Sequence, residues 1–484
     1  MSKLLFKYKS IPVTLKASIW FLLCGFLQKG ISIITTPIFT RMLSTAEYGQ
    51  FSVFNSWQGI LSVFITLNLS AGVFTQGLIK YDKDREKFTS SLYGLSLLLF
   101  ICYFIIYLVG RNLWNSLLKL STPIMICMLI ITWNNTCFSF WSAKQRVDYK
   151  YKMLVGLTLI TSVVQPVSGI LSILLFPQAK VEARIISITV VGCLAYLWLF
   201  ISQIRREKQL YNSFYWKYSL KFNIPLIPHY LSQIILSSCD KIMIEGYCGK
   251  ADAGIYSLAY TLSNLMLIVN IAVNNTLNPW IYTKIKEKKY SEIAPVAYIL
   301  LICIAAANLI LIILAPEAVS IFAPESYKNA IWCIPPIAMS VYFIFMYDLF
   351  AKIAFYYEKT KFIMIASTIC AAANIGLNAI FIPKLGYIAA AYTTLLCYIL
   401  YDICHYIFMT IVIKEKINNT KIYNPLIILL ISLIFVVFGF IILLLYKFII
   451  IRLSILLIIA VSIFVYRKKL INIYETIIKH NNQE

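Results

Sequence analysis

The 484 residues are 60% hydrophobic and 13% charged, with 43 Lys and Arg against 20 Asp and Glu, and the mean hydropathy is +0.80. An apolar share so far above the roughly 45–50% of soluble domains excludes an ordinary globular protein. Apolar runs of about 20 residues, enough for a helix to cross a hydrocarbon core of about 30 Å, recur from Ser18 nearly to Tyr466, and the alternation of an outer-membrane barrel is absent.

About fourteen transmembrane helices are predicted, so the expected class is an all-α polytopic membrane protein. The approximate spans are 16–39, 49–70, 88–110, 121–142, 153–176, 183–204, 222–246, 254–280, 292–315, 330–355, 362–382, 387–413, 425–446 and 448–466. Before them, KLLFKYKSIPVTLK suits the inner headgroup surface, its lysines among anionic lipids. The first span is too long for a signal-peptide core and lacks a small-residue cleavage site, so it is expected to be retained. The longest loop, after Ile204, has fewer than about 20 residues, which leaves no room for a soluble domain.

The formal charge of +23 is distributed by topology. Lysine and arginine gather in every second loop, as in Lys80, Lys83, Arg85 and Lys87 or Lys284, Lys286, Lys288 and Lys289. The intervening segments carry fewer, among them Arg41, Arg111, Lys180 and Arg184. Short loops with this asymmetry place both termini in the cytoplasm and leave no nucleic-acid footprint. The twelve cysteines lie mostly within spans, without CxxC or Cys/His ligand spacing, so neither a metal nor another cofactor is expected.

Shifted by 205 residues, the chain meets itself: Leu15-Lys16 falls on Leu220-Lys221, Gln28 on Gln233, Ala46-Glu47 on Ala251-Asp252, Gly49 on Gly254 and Ser52 on Ser257. An offset of six spans implies two parallel six-helix lobes around a central cavity, able to rock against each other. The expected division is an N-terminal lobe 1–204, a cytoplasmic linker 205–221, a C-terminal lobe 222–413, and two extra helices with a cytoplasmic tail in 414–484.

Four stretches carry a family resemblance: FTRMLSTAEYGQFS after the first span, FWSAKQRVDYK after the fourth, SSCDKIMIEGYCGKADAGIYSLAYTLSN across the seventh and eighth, and FIPKLGYIAAAYTTL between the eleventh and twelfth. With them the chain resembles the polysaccharide flippases, the O-antigen and capsule repeat-unit translocases of the multidrug/oligosaccharidyl-lipid/polysaccharide exporter superfamily. Where family members often have Asp-Arg, this chain has Asp240-Lys241, which keeps the charge and loses the planar fork. On physical grounds Gly49, Gly254 and the Pro383–Gly386 stretch suit turns into helices, and AKQR places positive charge at the inner face.

Lys29 lies about 18 Å beyond the inner end of its helix, too deep for its ammonium to reach either headgroup layer. Such a charge needs a polar partner or a wet cavity. It either pairs, for example with Asp348, or receives the anionic head of a lipid-linked sugar. Gln28 adds a hydrogen-bonding group, and Gly25 and Gly30 would let a helix or ligand approach. Asp348 and Lys352 share a helical face and read as a salt bridge or a gate. Asp240, Lys241 and Glu245 near the outer end of the seventh span read as structural, gating or ion-coupling residues, with Lys241 and Glu245 spaced to pair. Asp402 and His405 are three apart, a spacing open to proton relay. Asn270, Asn274 and Asn278 recur every four residues, as do Asn374 and Asn378; Asn55, Ser62 and Thr66, and Thr132, Asn135 and Ser139, mark polar faces in the second and fourth spans. These faces suit helix packing or a hydrated path for sugars.

The resemblance implies a non-enzymatic flippase for an undecaprenyl-pyrophosphate-linked oligosaccharide, moving it from the cytoplasmic to the outer leaflet of the inner membrane by alternating access. The bilayer and other polysaccharide assembly proteins would be its partners, and a proton or sodium gradient a possible drive. The other expectations are a small-molecule antiporter of the same superfamily and, less well matched for want of a long outer loop, a membrane polysaccharide polymerase or ligase.

Overall fold

The computed structural model describes residues 12–417 and 421–481; Lys3, Lys7 and Lys9 of the expected headgroup segment lie outside them. The described residues form nineteen α-helices and no strand. By packing, the chain separates into two compact units, 1–234 and 235–484. The first holds α1 (Val13–Met42), α2 (Thr45–Thr66), α3 (Val73–Lys80), α4 (Arg85–Val109), α5 (Arg111–Leu118), α6 (Thr122–Val147), α7 (Tyr151–Leu175), α8 (Lys180–Arg206) and α9 (Ser213–Asn223). The division falls inside α10 (Ile227–Cys248). The second unit continues with α11 (Lys250–Ser263), α12 (Met266–Lys286), α13 (Ile293–Ile313), α14 (Ala315–Phe322), α15 (Ile334–Tyr356), α16 (Thr360–Leu385), α17 (Ile388–Lys416), α18 (Pro425–Leu444) and α19 (Ile449–Asn481). The two share an order of elements, including an eight-residue helix, α5 in one and α14 in the other.

Twelve helices among the described residues are long and apolar enough to cross a membrane. The second and seventh expected spans form α2 and α10, each 22 residues and so about 33 Å long, but polar side chains such as Asn55 and Gln58, or Asp240, Lys241 and Glu245, keep them out of that set. Long apolar side chains stay exposed on the outer helices, for instance Ile34 of α1, Leu194 of α8 and Ile450 of α19. On a membrane protein such a surface faces lipid.

Local signals explain where helices begin and end. α2 starts in a capping box: Ser44 Oγ accepts from the Glu47 amide at 3.2 Å, and Glu47 Oε2 accepts from the Ser44 amide at 2.7 Å. It ends where Leu67 and Asn68 adopt φ of 46° and 50°. Gly49 and Gly254, expected in turns, instead lie buried inside α2 and α11; the turn before α11 is made by Gly249 at φ 100°. Gly386 closes α16 at φ 75° as expected, whereas Pro383 sits within the helix.

In the first unit Phe54, Met128 and Ile185 centre one apolar cluster, and Phe74, Phe88, Tyr93 and Phe140 another. Residues 205–223 fold onto this unit. Trp216 Nε1 donates to the Ser91 carbonyl at 2.8 Å, Asn223 Nδ2 donates to that of Leu67 at 2.9 Å, and Tyr215 is buried in the second cluster. Lys144 of the AKQR stretch is buried, not solvated: its Nζ donates to Glu86 Oε1 at 2.6 Å and to Gln203 Oε1 at 3.3 Å. In the second unit α15 is the central helix, burying Tyr342, Phe345 and Phe350. Tyr342 shares a 3.0 Å hydrogen bond with Ser432 of α18, and Tyr446 donates to the Ile312 carbonyl, so the last two helices are tied to this unit.

Candidate functional site

The first unit carries an open polar cavity of about 310 Å³ between α2 and α6. Asn55, Gln58, Ser62 and Thr66 line one wall and Thr132, Asn135, Thr136 and Ser139 the other, with Asn68 and Ser70 also in the lining. Three- and four-residue spacing puts each set on one helical face, which is why the two polar faces could be read from the sequence. The hydroxyls of Ser62, Thr66, Thr132 and Thr136 bond carbonyls of their own helices. The amides of Asn55, Gln58 and Asn135 have no hydrogen-bond partner among the described residues. The walls carry no Asp, Glu, Lys or Arg.

Lys29 is exposed on α1 and forms no ion pair or hydrogen bond with another described residue. Nothing lies within 4 Å of a Cβ added at Gly25 or Gly30, so no helix approaches there. Gln28 lines a second cavity in the first unit, of about 260 Å³. Asp348, the carboxylate suggested for Lys29, bonds Lys352 at 2.7 Å, and Lys352 Nζ also donates to Asn274 Oδ1 at 3.0 Å. Lys352 is buried to 2% exposure, so the face shared by α12 and α15 is held by a compact Asp–Lys–Asn group.

The second unit buries a carboxylate. Asp240 of α10 is 1% exposed. Its Oδ2 accepts from Tyr256 Oη and from Thr394 Oγ1, both at 2.6 Å, and its Oδ1 accepts from Asn378 Nδ2 at 2.6 Å. Asn378 also donates to Asn374 and accepts from Thr393. Four helices, α10, α11, α16 and α17, thereby meet on one buried carboxyl group. Lys241 does not join these hydrogen bonds; its Nζ sits 4.4 Å from the centre of the Tyr260 ring. Glu245 follows one turn later, partly buried.

The asparagines singled out from the sequence separate accordingly. Asn374 and Asn378 are fully buried and belong to the Asp240 cluster, Asn274 serves Lys352, and Asn270 donates to the Val341 carbonyl at 3.0 Å. Asp402 and His405 of α17 are both buried, His405 with its ring centre 4.5 Å from that of Tyr401. Sequence reasoning missed Tyr256, Thr393 and Thr394, because a tyrosine or threonine in an apolar helix is indistinguishable by spacing from a packing residue.

A cavity lined by neutral polar groups and buried charged clusters, set among helices with lipid-facing exteriors, define a multi-pass helical membrane protein with a polar interior. The chain belongs to the polysaccharide biosynthesis protein family, whose model matches residues 14–285. It is 21% identical over 370 residues to an uncharacterized membrane protein of Haemophilus influenzae, covering 72% of this chain and 85% of that one. It is 20% identical over 293 residues to a putative Lsg locus protein 1 of the same organism, covering 57% and 67%. Among solved structures, the lipid II flippase MurJ in an inward closed conformation shares the fold with a TM-score of 0.66 at 16% identity, over 93% of this chain and 100% of that one. An inward-facing multidrug resistance MATE family transporter of the MOP superfamily gives 0.60 at 11% identity, over 81% and 96%. The fold is thus that of flippases and transporters of this superfamily.

Proposed function

We propose that the protein is a flippase that carries an undecaprenyl-pyrophosphate-linked oligosaccharide repeat unit from the cytoplasmic to the outer leaflet, for O-antigen or capsule polysaccharide. The observation that carries this reading is the uncharged polar cavity between α2 and α6, whose free amides suit sugar hydroxyls. Lys29, one α1 residue past Gln28, supplies a cation for the anionic head. The units alternate access, the polyprenyl tail remaining in lipid. Asp240 with Asn374 and Asn378, and the Asp348–Lys352 pair, serve gating or coupling to a proton or sodium gradient, with Lys241 and Glu245 beside the first. Both termini lie in the cytoplasm and the membrane is the inner one. Other polysaccharide assembly proteins supply and receive the repeat unit.

The test is translocation of a defined polyprenyl-linked glycan in reconstituted vesicles. Lys29→Ala is expected to insert normally and to lose at least about tenfold in rate, as removal of a charge-assisted contact implies. A wild-type rate from the alanine variant removes the headgroup role of Lys29. Extrusion of cationic dyes without glycan transport turns the protein into a small-molecule antiporter.

A further inference from the structure

Arg184 is not accounted for by topology alone. It lies one turn into α8, and its guanidinium carbon sits 3.5 Å from the centre of the Phe39 ring and 3.7 Å from that of Phe51. Its Nη1 is buried with no hydrogen-bond partner, and among the described residues no carboxylate forms an ion pair with it. The acid at the start of α2, Glu47, is engaged by Ser44 and lies 3.8 Å from Lys180. A cation held this way has its flat surface covered by aromatic rings and only its N–H edge left to bond.

That edge borders the second cavity of the first unit, about 260 Å³, which Arg184 lines together with Gln28, Ser32, Thr35, Ser162 and Gln165. Thr35 and Ser162 already donate to carbonyls of their own helices. The side chains of Gln28, Ser32 and Gln165 have no partner among the described residues. Three helices therefore present unused N–H and O–H donors to one space beside a partly buried guanidinium that no carboxylate neutralises among the described residues. An unpaired charge in such a place is costly, and an anion accepting these donors offsets the cost. The planar fork favours an oxyanion that takes two parallel hydrogen bonds, and the volume exceeds the roughly 30 Å³ of a water several times over.

We propose that Arg184, Gln28, Ser32 and Gln165 form an anion site within the first unit that binds a phosphate-type oxyanion. The group can come from free inorganic phosphate or pyrophosphate, or from the diphosphate of a lipid-linked glycan. The site does not depend on the flippase reading, since the inorganic ion alone tests it.

The experiment is thermal unfolding of the purified full-length protein in detergent, titrated with sodium phosphate or pyrophosphate against sodium chloride at matched ionic strength, and in parallel with a polyprenyl diphosphate glycan in nanodiscs. Wild type is expected to show saturable stabilisation. Arg184→Gln weakens the apparent affinity about tenfold or more, and Gln165→Leu, which leaves the cation in place and guards against misfolding of the first variant, about threefold. A response to the inorganic ions assigns the site to a free anion; a response to the lipid alone assigns it to the substrate head. Absence of saturable stabilisation by either, or undiminished affinity in both variants, overturns the proposal. Phosphate binding by a protein that moves no glycan keeps this site and removes the flippase reading.

Discussion

At the scale of single residues, the charges within the apolar helices divide by whether protein satisfies them. Asp240 receives three hydrogen bonds and Lys352 two partners, while Lys29 and Arg184 have neither a carboxylate nor a carbonyl partner among the described residues. The first pair therefore joins helices, and ligand binding by the second pair is what the two proposals above put to the test. Removing the Asp240 carboxyl strands Tyr256, Asn378 and Thr394 with buried donors, each costing about 1–3 kcal/mol. Asp240→Ala is accordingly expected to lower the melting temperature markedly in detergent. Asp240→Asn keeps the volume and most contacts but removes the charge; if Asp240 couples transport to a cation gradient, this variant translocates at the same rate with and without the gradient. Retained gradient stimulation in a folded Asp240→Asn protein would exclude coupling at this carboxylate.

Among the elements, the segment between α8 and α10 is more tightly placed than its charged, linker-like sequence suggested. A Cβ at Gly94 of α4 would lie 1.9 Å from the Leu210 carbonyl oxygen, which is backbone and cannot swing aside. Gly94→Ala should cost about 1–3 kcal/mol by overpacking and loosen residues 205–223. Limited trypsinolysis after Arg205, Arg206 or Lys208 would then be faster than in wild type; equal cleavage would show that the segment tolerates the shift. At the other end of the chain, Arg452 of α19 grips Glu317 of α14 with two bonds, 2.8 and 3.0 Å, and also donates to the Ile313 carbonyl. The hydrogen bonds from Arg452 hold the Glu317 carboxyl below the usual carboxylate range. A depressed folded-state value means this contribution is complete at neutral pH and is lost as pH falls below about 4. Melting temperature should therefore decline on acidification more steeply in wild type than in Glu317→Gln. Identical slopes would show that the pair contributes nothing measurable.

For the whole molecule, the concentration of lysine and arginine in alternate loops predicts a single orientation. A reporter active only in the periplasm, fused after Glu484 or within residues 205–212, is expected to be silent, and one inserted near Lys119 to be active. Activity at the C-terminus would reverse the proposed orientation and with it the direction assigned to the inner and outer ends of every helix.

Much of the fold was legible because it is written locally. Twenty apolar residues must pair their backbone groups within one helix when surrounded by lipid, so hydropathy alone specified an all-helical membrane protein. The polar faces of α2 and α6 were legible for the same reason: helical periodicity sets Asn55 against Ser62 and Thr132 against Asn135 without knowledge of what packs opposite. The spacing of Asp348 and Lys352 likewise left a salt bridge or a gate open, and the ion pair is observed at 2.7 Å.

Partnership between distant segments was not legible. Gly49 and Gly254 carried a turn signal, yet Ser44 and Gly249 make those turns, because a capping side chain in one case and a positive φ in the other decide where the helix begins. Lys144 had the composition of a solvated loop charge, but packing of α4, α6 and α8 buried it against Glu86 and Gln203. Thr394 meets Asp240 across 154 residues of chain, and Arg184 meets Phe39 and Phe51 on two other helices. By itself the sequence determined the helices, their lipid-facing character and their polar stripes, since each follows from neighbours within a few turns. Only the tertiary structure decided which buried charges are satisfied and which remain open, because a hydrogen bond depends on where a second helix places its side chain, and no local pattern encodes that distance.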